Sequence, residues 1–226
     1  METSFVFKVS NYLCRKFSST MKEEILRKAT EMFLTLGFKS VTMDDIATEM
    51  GISKKTIYQH FDNKPELVEA VAISLFKTIS SGIDCICELG KNAIEEIFEI
   101  KNFMMKQLKN ENTSPIHQLN KYFPKVAENL RSNQFCKMQQ CVNSNLTRGK
   151  AAGLYREEIE IDFITRIYYV GGAAIKDEDI FPRDQFPIAD VVEKYLEYHL
   201  RAIATPAGLE VLQQLISNKP NITTHQ

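Results

Sequence analysis

The sequence predicts an all-α chain, with a small three-helix N-terminal domain built around a helix-turn-helix and a larger helical C-terminal domain. Three observations predict it. From Met21 onward apolar residues recur at helical spacing, and no stretch alternates convincingly as a strand. Glycines and prolines cut this pattern into pieces of helix length, among them Gly37, Gly51, Gly90, Pro115, Pro124, Gly153, Pro182, Pro187 and Pro206. Two very short helical segments meet at Gly51-Ile52-Ser53, the layout of a helix-turn-helix.

The elements follow in order. Met21-Lys22-Glu23-Glu24-Ile25 reads as a natural start, so residues 1–20 are expected to be a disordered leader or a start-site artefact. The alternative is a basic arm whose Lys8, Arg15 and Lys16 track phosphates. Ile25, Ala29, Met32, Phe33 and Leu36 fall on one face of the first helix, which Gly37 stops. Thr42 opens the second with Asp45 three residues on, a capping-box variant, and Ile46, Ala47 and Met50 form its inner face. Ser53 caps a third short helix over residues 54–60, with Ile57 inward and Phe61 closing the turn. Asn63 or Lys64 caps a fourth, which starts with Pro65 and runs to about residue 88, about 35 Å. Further helices are expected near 92–110, 115–122, 125–148, 161–175, 188–204 and 207–217, with residues 176–187 irregular. The expected domains are therefore residues 21–64 and 65–226.

Bulk composition narrows the function classes. A formal net charge of -1 gives no general affinity for nucleic acid, so any such surface must come from local segregation. Over residues 22–70 there are 7 basic and 9 acidic residues, but residues 51–64 hold 3 Lys against Asp62 alone. The five cysteines (Cys14, Cys85, Cys87, Cys136, Cys141) show neither CxxC nor zinc spacing, and within one helix neither close pair faces itself, so inert thiols in a reducing cytoplasm are expected. No apolar run is expected to reach the roughly 20 residues that span a bilayer. There is no nucleophile–base pair, paired carboxylate or metal set at usable spacing, so no catalytic residue, metal or cofactor is expected. Glu95-Glu96, Glu157-Glu158 and residues 177–179 read as solvated acidic faces.

The informative stretch is VTMDDIATEMGISKKTIYQHFDNK, residues 41–64. Its second short helix presents Lys54, Lys55, Thr56, Tyr58, Gln59 and His60 outward, as a helix that reads base edges must. Thr42 and Ser53 place hydroxyls and free backbone N–H groups where a phosphate can dock. Phe33, Gly37, Phe38, Val41, Thr42, Met43, Asp45, Ile46 and Ala47, then residues 51–61, Lys64, Glu66 and Leu67, resemble the tetracycline-repressor (TetR) family over about 45 residues. The Y-x-H-F-x-x-K element from Tyr58 to Lys64 distinguishes this resemblance from a generic helix-turn-helix. The run Leu200-Arg-Ala-Ile-Ala-Thr-Pro-Ala-Gly208 looks like a C-terminal ending common in that family.

The resemblance implies a homodimeric transcription regulator on a palindromic operator, most simply a cytoplasmic repressor released by a small effector. Thr42, Tyr58, His60 and Lys64 match positions that hold phosphates, and Lys54, Lys55, Thr56 and Gln59 match positions that can meet bases. Gln59 suits a bidentate contact to adenine, the lysines guanine. The resemblance also implies an effector pocket among helices four to seven. Phe76, Phe98, Phe103, Met104, Phe123, Phe135, Met138 and Tyr168 are its candidate lining, apolar and Met-bearing enough for a hydrophobic effector. The fourth helix would act as a lever between effector and DNA. For a dimer interface, the small cluster around Gly171 and Gly172 with Tyr168, and Val191, Val192, Tyr195, Leu196, Tyr198 and His199 on the later helix, suggest two helices from each subunit. A DNA-bound scaffold of the same fold, recruiting a protein without small-molecule control, is the alternative function.

Overall fold

The computed structural model describes residues 20–108 and 115–218. The expected leader and basic arm, with Cys14, therefore lie outside the described residues, apart from Thr20. Ten helices form among the described residues: α1 Met21–Leu36, α2 Met43–Met50, α3 Lys54–Tyr58, α4 Lys64–Cys87, α5 Ala93–Leu108, α6 Pro115–Tyr122, α7 Pro124–Ala151, α8 Ile161–Ala174, α9 Ile188–Ile203 and α10 Pro206–Ser217. No strand is present among the described residues, only an isolated bridge between Tyr155 and Ala204.

Local chemistry sets the helix ends. Thr20, assigned to the leader by sequence, is the N-cap of α1 and forms a reciprocal capping box with Glu23. Thr42 and Asp45 form the same box at α2. The Ser53 side chain accepts from Thr56 N at α3, and the Asn63 side chain accepts from Glu66 N at α4. Asn63 is thus the cap, with Lys64 in the first helical position and Pro65 in the second. Gly37 ends α1 with φ +92°, where any other residue would be strained, and a Cβ there would sit 2.7 Å from the Gln118 amide.

The chain divides into two compact units. The first comprises the described residues up to Gly82 together with those from Lys106 to Asn133. Its core joins Ile25, Ala29 and Phe33 of α1, Phe38, Ile46 of α2, Ile57 of α3, Phe61, Leu67, Val68 and Val71 of α4, Leu119 of α6 and Ala127 of α7. Phe33 and Phe38 stack with centroids 5.0 Å apart. Leu36 is not part of this core. It is 59% exposed, because the last turn of α1 carries it past the buried stripe. The unit also differs from the expected 21–64 domain: α4 as far as Gly82, α6 and the start of α7 belong to it, since the three-helix head covers its apolar side with Leu67, Leu119 and Ala127.

The second unit comprises Ile83–Met105 and the described residues from Gln134 onward. Ile94, Leu146, Leu200, Ile203 and Leu212 form its dry centre. A satisfied polar network runs through it: Arg148 donates to both Glu96 oxygens at 2.6 Å, Asn145 donates to Glu96 and to the Ala93 carbonyl, and Tyr155 donates to Asn145. Glu96 is 1% exposed, which corrects its reading as a solvated acid; the ion pair that makes its burial tolerable comes from 52 residues away. The family-like ending has a structural reason as well. Thr205 caps α10, its hydroxyl donates to the Gly153 carbonyl, and a Cβ on Gly208 would lie 2.2 Å from the Leu154 carbonyl oxygen.

One expectation about membranes needs correcting. By length and composition alone, α4 is long and apolar enough to cross one. Lys77 and Asp84 interrupt its apolar run. In the structure Leu67, Val68, Val71 and Ala72 are buried in the N-terminal part of the helix, and Ile86 is buried near its C-terminal end.

Candidate nucleic-acid interface

The reading head is built from short helices held by buried anchors. Ile57 is the inward residue of α3, so Lys54, Lys55 and Tyr58 point away from the core, followed by exposed Gln59. Ser53 and Thr56 share a hydroxyl–hydroxyl bond of 2.8 Å, and Thr56 and His60 are half-buried. Tyr58 is 42% exposed, with its ring 5.9 Å from the Lys54 ammonium. That ammonium also sits 2.7 Å from an Asp44 carboxylate oxygen, which raises its pKa.

The flanking phosphate positions form a second group. The Thr42 backbone N–H and hydroxyl both donate to Asp45 Oδ2 at 2.8 Å, and these bonds hold the Asp45 carboxyl below the usual range, helped by the Lys64 charge. Lys64 Nζ donates to the Lys39 carbonyl at 3.0 Å and lies 5.9 Å from the Phe123 ring centroid. Partial burial lowers its pKa, opposed by Asp45. An ammonium has three donors, so the Lys39 bond leaves Lys64 free to meet a phosphate. The structure therefore gathers Thr42 and Lys64 on one side of the turn and residues 53–60 on the helix after it.

Comparison with known proteins agrees with this geometry. The family profile of bacterial regulatory proteins, tetR family, matches residues 25–71. The chain carries a tetR-family domain. Over 60 residues it is 38% identical to the transcriptional activator FasR of Mycolicibacterium smegmatis, covering 26% of this chain and 27% of the relative. Over 47 residues it is 38% identical to IcaR of Staphylococcus epidermidis, a negative transcriptional regulator of a biofilm operon, covering 21% and 25%. The matched segment thus spans about a quarter of each relative's own length. A solved transcriptional regulator from Cytophaga hutchinsonii has a similar fold, with a TM-score of 0.64 at 19% identity, covering 81% of this chain and 98% of that one.

Beyond the tetR-family domain, the candidate pocket residues divide between the two units. Phe76 and Phe123 belong to the first, and Phe123 packs against its core. Phe98, Phe103, Met104, Phe135, Met138 and Tyr168 belong to the second. Phe98 is buried in the second core with Met138 and Tyr168 against it, and Phe135 meets Tyr169 edge-on at 4.9 Å. None of the eight lines either of two cavities found among the described residues. One, of 180 Å³, lies in the first unit beside Glu69, Ala72, Ile73 and Leu130. The other, of 260 Å³, lies in the second beside Ile175, Phe181, Phe186, Val191 and Tyr195.

Among the candidate dimer residues Leu196 and His199 are buried, while Tyr168, Gly171, Gly172, Val192 and Tyr195 are half-buried. The inward face of α9 in the second unit is Val191, Leu196, His199, Leu200 and Ile203. Burial pushes the His199 pKa down to about 4. Tyr195 donates to the Tyr168 carbonyl at 2.8 Å, and its ring stacks on Tyr168 at 5.9 Å. Gly171 serves that contact, since a Cβ there would lie 2.4 Å from the Tyr195 hydroxyl, while Gly172 and Val192 are half-buried. Gly171 therefore lets α8 and α9 approach within one chain, whereas a Cβ on Gly172 would meet nothing within 4 Å. Of the expected dimer residues Tyr198 is exposed, and the other exposed large apolar residues on these helices are Phe163, Ile167 and Val170.

The thiols also pair differently from their spacing. Cys87 of α4 and Cys141 of α7 are in hydrogen-bond contact across two helices, and burial pushes Cys87 up to about 11 and raises Cys141, which keeps both protonated and unreactive. Cys85 and Cys136 are exposed, and all four are free. No group of three metal-ligating side chains occurs among the described residues.

Proposed function

We propose that this chain is a cytoplasmic, sequence-specific DNA-binding transcription regulator that works as a homodimer on a palindromic operator. One observation carries the reading: a capped helix-turn-helix whose α3 turns Lys55, Tyr58 and Gln59 to solvent beside a lysine at the start of α4, in the segment that matches the tetR family. Lys55 and Gln59 read bases; Thr42, Ser53, Tyr58, His60 and Lys64 hold phosphates; Lys54 and Thr56 sit between the two roles. Repression released by a small hydrophobic effector is the regulatory mode proposed. It is supported by the aromatic and Met content of the second unit and by α4, which contributes residues to both units. A ligand that binds one arrangement of α4 more tightly than another shifts the population of DNA-competent dimers.

The test is a titration of the full chain against its own upstream DNA at two salt concentrations, with random duplex as control. Tight, salt-sensitive binding to a palindrome with two chains per site is expected. Lys64→Ala should weaken binding to all sequences alike and flatten the salt slope by about one unit, whereas Gln59→Ala or Lys55→Ala should relax preference among sequences. Binding no better than to random DNA at every upstream fragment would overturn the operator reading, and binding without transcriptional effect would favour the scaffold function.

A further inference from the structure

In the first unit, α6 brings charge and an aromatic ring to the same side of the head as Lys64. The Gln118 side chain accepts from Lys39 N at 3.3 Å and abuts Gly37, which fixes α6 against the loop before α2. At the end of α6, the Tyr122 ring lies 5.1 Å from the Lys39 ammonium and 5.6 Å from that of Lys121. Lys39 is joined in turn to Lys64, whose amine donates to its carbonyl, and Lys64 is coupled to the Asp45–Thr42 pair at the start of α2. These contacts form one continuous path from the phosphate positions of the helix-turn-helix to the end of α6.

The charge along this path is unbalanced. Among the described residues neither Lys39 nor Lys121 forms an ion pair, whereas Lys28 and Lys54 of the same unit each do. Lys39 and Lys121 are both exposed, and Tyr122 is 37% exposed. Two ammonium groups beside one ring with no carboxylate between them repel each other, and a polyanion relieves that repulsion. An aromatic ring flanked by lysines also confines the cations without neutralising them.

We propose that Lys39, Lys121 and Tyr122 form a second phosphate-binding strip, so that α6 as well as the helix-turn-helix grips the DNA backbone. The proposal rests on the DNA-binding reading above. It gives the strip no part in choosing sequence, since lysines at phosphates position a duplex without reading it. It also gives α6 a direct stake in DNA affinity, because any shift of α6 moves Lys121 together with the Tyr122 ring that flanks Lys39.

The experiment measures binding of the full chain to a random-sequence duplex by fluorescence anisotropy between about 50 and 200 mM salt. The double variant Lys39→Ala/Lys121→Ala should lose slope in log K against log salt, by about 0.9 for each contact removed. The charge-preserving Lys39→Arg/Lys121→Arg variant should keep the wild-type slope, as should Lys77→Ala, which removes an exposed lysine farther along α4. A wild-type slope in the double alanine variant, or an equal loss in Lys77→Ala, overturns the strip and leaves the DNA-binding reading standing. Absence of binding by the wild-type chain to any duplex overturns both.

Discussion

Asp44 holds the Lys54 ammonium at 2.7 Å, so a lysine at the entrance of the reading helix must leave a carboxylate before it meets DNA. Both side chains are more than half exposed, which makes the exchange easy. Asp44→Asn is therefore expected to tighten binding to every duplex and to steepen the salt slope, because the lysine no longer has a partner to give up. Anisotropy titrations of the variant and wild type at several salt concentrations check this, and an unchanged slope would place Lys54 outside the interface. A second residue-scale prediction concerns His199. Its folded pKa of about 4 lies below the ordinary value of 6.5, so the unfolded chain binds the extra proton first. The neutral ring contributes its full stability above pH 6.5 and loses it as pH falls towards 4, a difference on the order of 3 kcal/mol. Urea unfolding at pH 7 and pH 4.5 should show wild type losing more stability than His199→Phe, which cannot titrate there. Equal losses would mean that His199 is solvated in the folded chain.

Caps act at the scale of the element. Thr20 and Glu23 satisfy each other's backbone at the start of α1, the helix that brings Ile25, Ala29 and Phe33 to the first core. A chain begun at Met21, or the Thr20→Ala variant, should lose about 1 kcal/mol of stability in urea unfolding while keeping its helical circular dichroism. An unaltered midpoint would mean that solvent replaces the cap. The same element shows what a sequence can and cannot reveal. The helix-turn-helix was legible because its signals are local: Thr42 and Asp45 three residues apart, Gly51 at a left-handed turn, Ile57 and Phe61 on one face. The Thr20–Glu23 box is equally local, but it straddles Met21, which itself reads as a start. What stayed illegible depends on partners distant in sequence. Glu96 finds Arg148, Cys87 finds Cys141, and Gly171 makes room for Tyr195, none of which spacing within one helix can show. The phase of α9 depends on distant partners in the same way. Tyr195, Leu196, Tyr198 and His199 are near neighbours in sequence, and only packing against α8 and the second core decides which of them turns outward.

For the whole molecule, that phase decides where a second subunit can sit. Phe163, Ile167 and Val170 recur at i, i+4 and i+7 along α8 with exposures of 58%, 48% and 61%, and Tyr198 on α9 is 74% exposed. Large apolar side chains left in water at helical spacing cost the single chain free energy that a matching face recovers. A two-fold axis supplies that match without a second kind of surface, since each patch meets its own copy. A reader of two half-sites needs the same axis, so one arrangement serves burial and recognition together. If the proposed homodimer closes on this stripe, Val170→Glu and Tyr198→Glu should each convert dimer to monomer in sedimentation or light scattering, because a carboxylate in that interface meets an apolar wall. Both positions face solvent in the single chain, so helix content should be retained. The monomers should still bind random duplex weakly through one reading head but lose the tight, two-chain complex on a palindrome. Leu196→Ala behaves differently: it opens the second core and lowers stability by about 2–5 kcal/mol without specifically dissociating the dimer. If the glutamate variants remain dimeric, the exposed stripe on α8 and α9 is not the interface, and the two reading heads must be joined through another surface of the chain.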